Sequence, residues 1–225
     1  MEKIGHRGAK AWTDENTLES IQKAIDLGVD AIEIDVRACK TGELVVIHDP
    51  TLKRTTNGKG KVAKLSYAQI SSFKTNNGYT IPTLEQVLDF CQDKCKIHIE
   101  LKSKGTALKT ATLITQLVKS SKWSYEQLTI SSFKLSRLQK IKHKNKEIQL
   151  GLVAHKNLKI KLGLASKNNF HAFYVFHEKL KKQIIKVSKE SGLKLYCWTV
   201  NKETNINKMK SLGVDGIITD NPEKL

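Results

Sequence analysis

The stretch Ala31-Ile32-Glu33-Ile34-Asp35-Val36 decides how this chain is read. Apolar residues alternate with Glu33 and Asp35, the period of an extended strand whose successive side chains face opposite ways. Two carboxylates flanking one apolar residue therefore project to the same face, where they can share one divalent cation. Downstream, His98, Glu100 and Lys102 line up in the same manner. Upstream stands Gly5-His6-Arg7-Gly8, and between the two acidic segments stands His48-Asp49. The histidines His6 and His48, the carboxylates Glu33, Asp35 and Glu100, and the cations Arg7 and Lys102 form a set suited to metal-assisted chemistry on a phosphate ester.

Further outward, short apolar runs alternate with amphipathic helical patterns. Strands are expected at 3–6, 31–36, 96–101, 128–131, 148–152, 172–175, 194–199 and 215–218. Helices are expected at 17–27, 107–120, 158–165, 180–191 and 203–212, with Gly28, Gly192 and Gly213 where three of them stop. Eight strand-helix repeats predict an α/β fold, a parallel (β/α)8 TIM barrel spanning residues 1–225 as one domain. The carboxyl ends of barrel strands are where such folds carry their sites. His6 and Arg7, Glu33 and Asp35, Glu100 and Lys102, Trp198, and Thr219 with Asp220 all fall at such ends.

One segment breaks the repeat. Leu44 to His48 reads as an extra strand pairing back on Cys39-Lys40 across Thr41-Gly42, followed by the turn-rich stretch Arg54 to Gly60. A short helix at 66–73 precedes Pro82 and Thr83, which open the next long helix. This small insertion after the second strand, about residues 49–82, leaves from a carboxyl end and is expected to cap the barrel mouth and bring His48 to it.

Composition narrows the partners. No apolar run approaches the roughly 20 residues needed to span a bilayer, and Met1-Glu2-Lys3-Ile4 enters a strand with no leader pattern, so a soluble, cytoplasmic protein without stable membrane insertion is expected. Cys39, Cys91, Cys95 and Cys197 lack metal-ligand spacing and are expected to be reduced thiols. The net charge is +17, yet only 4 of the 39 basic residues are arginine and the lysines are spread over almost every expected helix, which argues against specific nucleic-acid binding. The run Lys179-Leu180-Lys181-Lys182 can attract anionic lipid or RNA weakly, and a positive field would draw in an anionic substrate.

The chain resembles the glycerophosphodiester phosphodiesterases. The resemblance rests on His6-Arg7-Gly8, Glu15-Asn16-Thr17, Glu33-Ile34-Asp35-Val36, His48-Asp49-Pro50-Thr51-Leu52 and Arg54-Thr55-Thr56-Asn57-Gly58. It continues through Ile81-Pro82-Thr83-Leu84, Ile99-Glu100-Leu101-Lys102, Trp198-Thr199-Val200-Asn201 and Asp215 to Asp220, in the family's order. It implies a TIM barrel, a divalent cation such as Mg²⁺ or Ca²⁺, and cleavage of a small-molecule glycerophosphodiester to glycerol 3-phosphate and an alcohol. Carried over by position, it implies His6 and His48 as general acid and base, and Glu33, Asp35 and Glu100 as metal ligands. Arg7 and Lys102 would contact the phosphate, and Trp198 would wall the glycerol moiety.

The chain also departs from that pattern. Ser131-Ser132-Phe133-Lys134 lacks the acidic residue the family usually carries after the Phe, and the resemblance thins between about 145 and 179. His98 is read either as a partner of the ligands or as a packed core imidazole, whereas His143, His155, His171 and His177 carry no motif and are read as surface or structural. Two other functions stay in view: lysophospholipase D-like hydrolysis at a membrane surface, and a catalytically silent module for anions or RNA.

Overall fold

Alternation of apolar and polar residues becomes nine strands in the computed structural model, which describes residues 1–225. In chain order these are β1 (Glu2–His6), β2 (Ala31–Ala38), β3 (Leu44–Val46), β4 (Lys96–Leu101), β5 (Leu128–Ser132), β6 (Gln149–Ala154), β7 (Ala172–Phe176), β8 (Lys194–Trp198) and β9 (Gly216–Thr219). All but β3 pair in parallel and close through β1 against β2, giving the expected (β/α)8 barrel. The helices are α1 (Leu18–Asp26), α2 (Tyr67–Ser71), α3 (Leu84–Cys91), α4 (Thr106–Lys119), α5 (Leu135–Lys144), α6 (Leu158–Lys167), α7 (Lys182–Glu190) and α8 (Glu203–Ser211). None is long and apolar enough to cross a membrane.

Local chemistry sets several boundaries. Thr17 caps α1 by accepting from the Ser20 amide, and Ser66 with Gln69 and Thr83 with Gln86 form reciprocal capping boxes on α2 and α3. Helix α5 follows from the eightfold repeat but had no expected bounds, because its composition is strongly polar and only Leu138 and Ile141 are buried. Helix α7 starts two residues later than the expected 180, since Lys179 and Leu180 belong to a single 3-10 turn and its cap.

Strand faces divide the core in two. Outward residues such as Ile32, Ile34, Ile97, Ile99 and Ile130 pack beneath the helices in one continuous apolar layer. Inside the barrel the apolar filling is small, formed by Ile4, Ala31, Val153, Ala172, Tyr174, Tyr196 and Ile218. The two tyrosine rings stack with centroids 5.0 Å apart. Gly151 makes room for them, because a Cβ there would stand 2.2 Å from a ring carbon of Tyr174. His98 joins this layer, with Nδ1 hydrogen-bonded to the Tyr174 hydroxyl at 2.6 Å. It is therefore the packed core imidazole, below the carboxyl ends.

The extra strand is present, but it is antiparallel to Val36–Ala38 of β2 rather than paired on Cys39-Lys40. Strand β2 outruns β1, whose pairing ends at His6 opposite Glu33, so β3 takes over the exposed edge above that point. The segment that follows packs its own apolar cluster from Val45, Ile47, Leu52, Val62, Ile70 and Ile81. Asn77 and Arg54 then tie it to Asp14 and Glu15 of the β1–α1 loop.

At the opposite mouth, Glu2 lies 3.5 Å from the Lys96 ammonium and 3.6 Å from His98 Nε2. Burial pushes its pKa up, but His98, the Tyr196 hydroxyl and Lys96 outweigh it and hold the carboxyl at about 2 against an ordinary 4.5. A folded pKa below the unfolded one means the contribution is complete above pH 4.5 and is lost as pH falls toward 2. In denaturant melts, Glu2→Gln is expected to cost roughly 2 kcal/mol near neutrality and much less at about pH 3. A cost independent of pH would show that the ion cluster is not its source.

Candidate active site

Parallel register assembles the acidic cluster. His6 of β1 lies opposite Glu33 of β2, and Asp35 of β2 lies opposite Glu100 of β4. Because all four residues are inward at the carboxyl ends, the side chains converge, and one carboxylate oxygen from each of Glu33, Asp35 and Glu100 lies within 4.8 Å of the others. Asp35 is 1% exposed and Glu33 6%.

Three buried carboxylates so close cannot all ionise unaided. Burial drives Glu33 far above the usual carboxylate range, and the charges of Asp35 and Glu100 add to the rise. Glu100 is also raised, by burial against the pull of Lys102. Asp35 goes the other way: Arg7 and Lys102 overcome its burial and hold it low. Lys102 Nζ stands 2.8 Å from Glu100 and 3.4 Å from Asp35, while Arg7 Nε stands 3.0 Å from Asp35. No cation reaches Glu33, whose Oε2 is buried without a hydrogen-bond partner. An orphaned carboxylate oxygen beside two more hard oxygen donors fits a divalent cation such as Mg²⁺ or Ca²⁺.

Arg7 is placed by a strained turn. Its φ is +58°, costly for a side chain with a Cβ, and three hydrogen bonds hold it there: its amide donates to Glu33 O, and its carbonyl accepts from the Asn16 amide and the Ser20 hydroxyl. Gly8 follows at φ +86°, where a Cβ would stand 2.4–2.6 Å from Ser20 atoms, so only glycine permits α1 to approach. The turn directs the guanidinium toward Asp35 and Glu15, the latter at 2.7 Å.

Each histidine of the cluster is held by an aspartate. Nδ1 of His6 donates to Asp220 at 2.5 Å, and Asp220 is fixed by the Asn201 amide at 2.8 Å. Nδ1 of His48 donates to Asp49 at 2.6 Å, Arg54 pairs with Asp49, and Arg37 Nε donates to the His48 carbonyl at 2.8 Å. Both rings therefore keep Nε2 free, and that of His6 lies 3.9 Å from Glu33. Burial lowers the pKa of both, partly offset by Asp220 for His6 and by Asp35 for His48. Each imidazole is thus a readier proton donor than a free one, with an anion beside it to stabilise its protonated form.

His6, Arg7, His48, Glu100, Lys102 and Trp198 open onto one cavity of about 450 Å³, with Glu33 on a small chamber beneath it. Phe133, Phe176 and Trp198 form its aromatic wall, with ring centroids 5.5–5.6 Å apart between Trp198 and the other two. A larger cavity of about 750 Å³ at the other mouth, around Glu2, His98 and Tyr196, holds mixed charge and none of these groups. His6, Arg7, His48, Glu33, Asp35, Glu100, Lys102 and Trp198 are thus gathered at one mouth of the barrel. His155, read as surface or structural, also lines the cavity, edge-on to Phe133. Asp220 was placed at a strand end without a role, and the partners Asn201, Asp49, Glu15 and Arg54 were absent from the expected set. All five stand in motifs whose order was noted, but their roles depend on loops meeting across the mouth.

Comparison with known proteins bears on what the cavity does. The family model for the glycerophosphoryl diester phosphodiesterase family matches residues 6–224. A glycerophosphodiester phosphodiesterase of Caldanaerobacter subterraneus is 34% identical, over 99% of this chain and 95% of that protein. Among solved structures, an Oleispira antarctica phosphodiesterase in complex with the product sn-glycerol-3-phosphate superposes with a TM-score of 0.90 at 26% identity, covering 100% of this chain and 94% of that one. A Thermotoga maritima glycerophosphodiester phosphodiesterase gives 0.82 at 28%, covering 99% and 96%.

Cation binding at the cluster has two expected signatures. Saturating Mg²⁺ or Ca²⁺ should raise the melting temperature, by the equivalent of about 2.7 kcal/mol at a hundredfold excess over Kd, and EDTA should reverse it. Because Glu33 and Glu100 must lose protons to bind a cation, affinity should rise with pH, by up to about tenfold per unit for each proton released. Titrations at pH 6 and 8 read this directly, and Glu33→Gln should weaken binding and remove the Glu33 share of the pH dependence, leaving that of Glu100.

Proposed function

The chain belongs to the glycerophosphoryl diester phosphodiesterase family, and on that premise we propose that His6 and His48 exchange protons with a glycerophosphodiester, and that Glu33, Asp35 and Glu100 are the residues that would hold a divalent cation. The products are glycerol 3-phosphate and an alcohol. The observation that carries this reading is that two aspartate-held imidazoles and the carboxylate cluster open on the same cavity. The product-bound Oleispira enzyme of matching fold supports the same substrate class. Four free cysteines, Cys91 and Cys95 among them, support a reducing, cytoplasmic setting.

The residues divide the work by position. Lys102 and Arg7, already inside the cluster, place positive charge where phosphoryl oxygens would lie. One neutral imidazole accepts the proton of the attacking hydroxyl, either the neighbouring glycerol hydroxyl, which gives a cyclic phosphate opened later by water, or water itself. The other, as imidazolium, returns a proton to the departing alkoxide. Trp198 forms the wall against which the glycerol moiety rests. When bound, the cation polarises the phosphoryl oxygens and offsets their charge.

Phosphorus NMR with glycerophosphocholine should show glycerol 3-phosphate forming with Mg²⁺ or Ca²⁺ and not with EDTA, and a transient cyclic phosphate would identify the glycerol hydroxyl as nucleophile. His6→Ala and His48→Ala should each cost about 10²–10⁴-fold in kcat, leaving the cation-induced rise in melting temperature intact. Near-full activity of either variant would remove that histidine from the mechanism. Asp220 raises the His6 pKa, so Asp220→Asn should move one limb of the pH profile of kcat/KM downward. Movement of the acid limb assigns His6 as base, and movement of the alkaline limb assigns it as acid.

A further inference from the structure

Next to the catalytic cavity lies another of about 430 Å³, and His155 lines both. The β6–α6 and β7–α7 loops build it, and Lys156, Lys159, Lys179 and Lys181 surround it with no carboxylate in the lining. The lysines that form ion pairs are Lys10, Lys96, Lys102, Lys122, Lys186 and Lys194, so the charges of these four are unneutralised. Like charges around one cavity repel, and an anion among them relieves the repulsion. Helix α6 begins here after Asn157, which is left-handed and whose side chain pairs with none of the first amides of that helix, and Leu158 and Lys159 of its first turn line the cavity.

The aromatic wall alone would suit a quaternary ammonium group. Here, however, Lys102 Nζ already lies 5.7 Å from the centroid of Phe133, and the four lysines stand beyond the wall. A cationic alcohol would meet repulsion along its whole path, whereas an anionic one would be drawn outward from the scissile phosphate past His155.

Resting on the phosphodiesterase reading above, we propose that the lysine-lined cavity is a leaving-group subsite, selecting glycerophosphodiesters whose alcohol bears a phosphate or phosphodiester of its own. His155, common to both cavities, assigns the lysines to the substrate rather than to a separate lipid or RNA surface.

Diester loss, followed by phosphorus NMR, is compared for glycerophosphocholine, glycerophosphoglycerol and glycerophosphoglycerol bearing a terminal phosphate. The wild type should favour the last over the first by about tenfold or more in kcat/KM, mainly through KM, and added salt should shrink the gap. The quadruple variant Lys156→Ser, Lys159→Ser, Lys179→Ser, Lys181→Ser, all exposed positions, should lose most of that preference. Preference for glycerophosphocholine, or an equal loss on all three substrates, would overturn the subsite. So would stimulation by phosphatidylglycerol vesicles that the variant abolishes, without selectivity among the soluble diesters. If no diester is cleaved, the phosphodiesterase reading fails separately, and calorimetry with glycerol bisphosphate still decides: tighter binding to wild type than to the variant supports the subsite, and equal affinity sinks it.

Discussion

Three carboxylates forced together inside a barrel are the constraint on which the rest of the site depends. Parallel pairing of β1, β2 and β4 sets Glu33 beside His6 and Asp35 beside Glu100. No rotamer change removes the crowding, because strand register fixes where each Cβ starts. The low-dielectric interior then makes every nearby charge count. Arg7 and Lys102 settle Asp35, Lys102 touches Glu100, and Glu33 keeps an oxygen without a partner. That unequal neutralisation is what turns an acidic cluster into a candidate cation site.

The barrel top is polar only because the layer below seals it. Tyr174, Tyr196 and His98 fill the middle of the barrel, and Gly151 yields the space the first of them needs. Outside, the isoleucine faces of the strands pack under the helices and give the scaffold its apolar core. Local strain at Arg7 is tolerable against such support, since the hydrogen bonds to Glu33 and from Asn16 and Ser20 hold the turn from three directions.

Loops supply what the strands cannot. Strand β3 covers the part of β2 that outruns β1, and the chain leaves it as His48-Asp49. Arg54 then joins Asp49 to Glu15, and Glu15 joins Arg7, so the second histidine is tied through ion pairs to the guanidinium beside Asp35. On the opposite side Asn201 and Asp220, from the loops after β8 and β9, hold His6. The two imidazoles thus share one arrangement, Nδ1 on an aspartate and Nε2 free, reached from unrelated parts of the chain.

Much of this was legible in the residues alone. Period-two alternation in Ala31 to Val36 determines that Glu33 and Asp35 share a face, and repeated strand-helix alternation determines a parallel barrel whose carboxyl ends gather His6, Glu33, Asp35, Glu100, Lys102 and Trp198. Such properties are local, set by side-chain direction within a few residues. The bounds of the polar helix α5 were hidden because so few of its residues are buried, and the true partner of β3 was hidden because it depends on how far β2 outruns β1. The tertiary structure alone decided that His155 borders the cavity and His98 does not, that Asp220 and Asp49 hold the histidines, and that Glu33 is the carboxylate left without a cation. Those facts rest on distances between segments far apart in sequence, which no local pattern encodes.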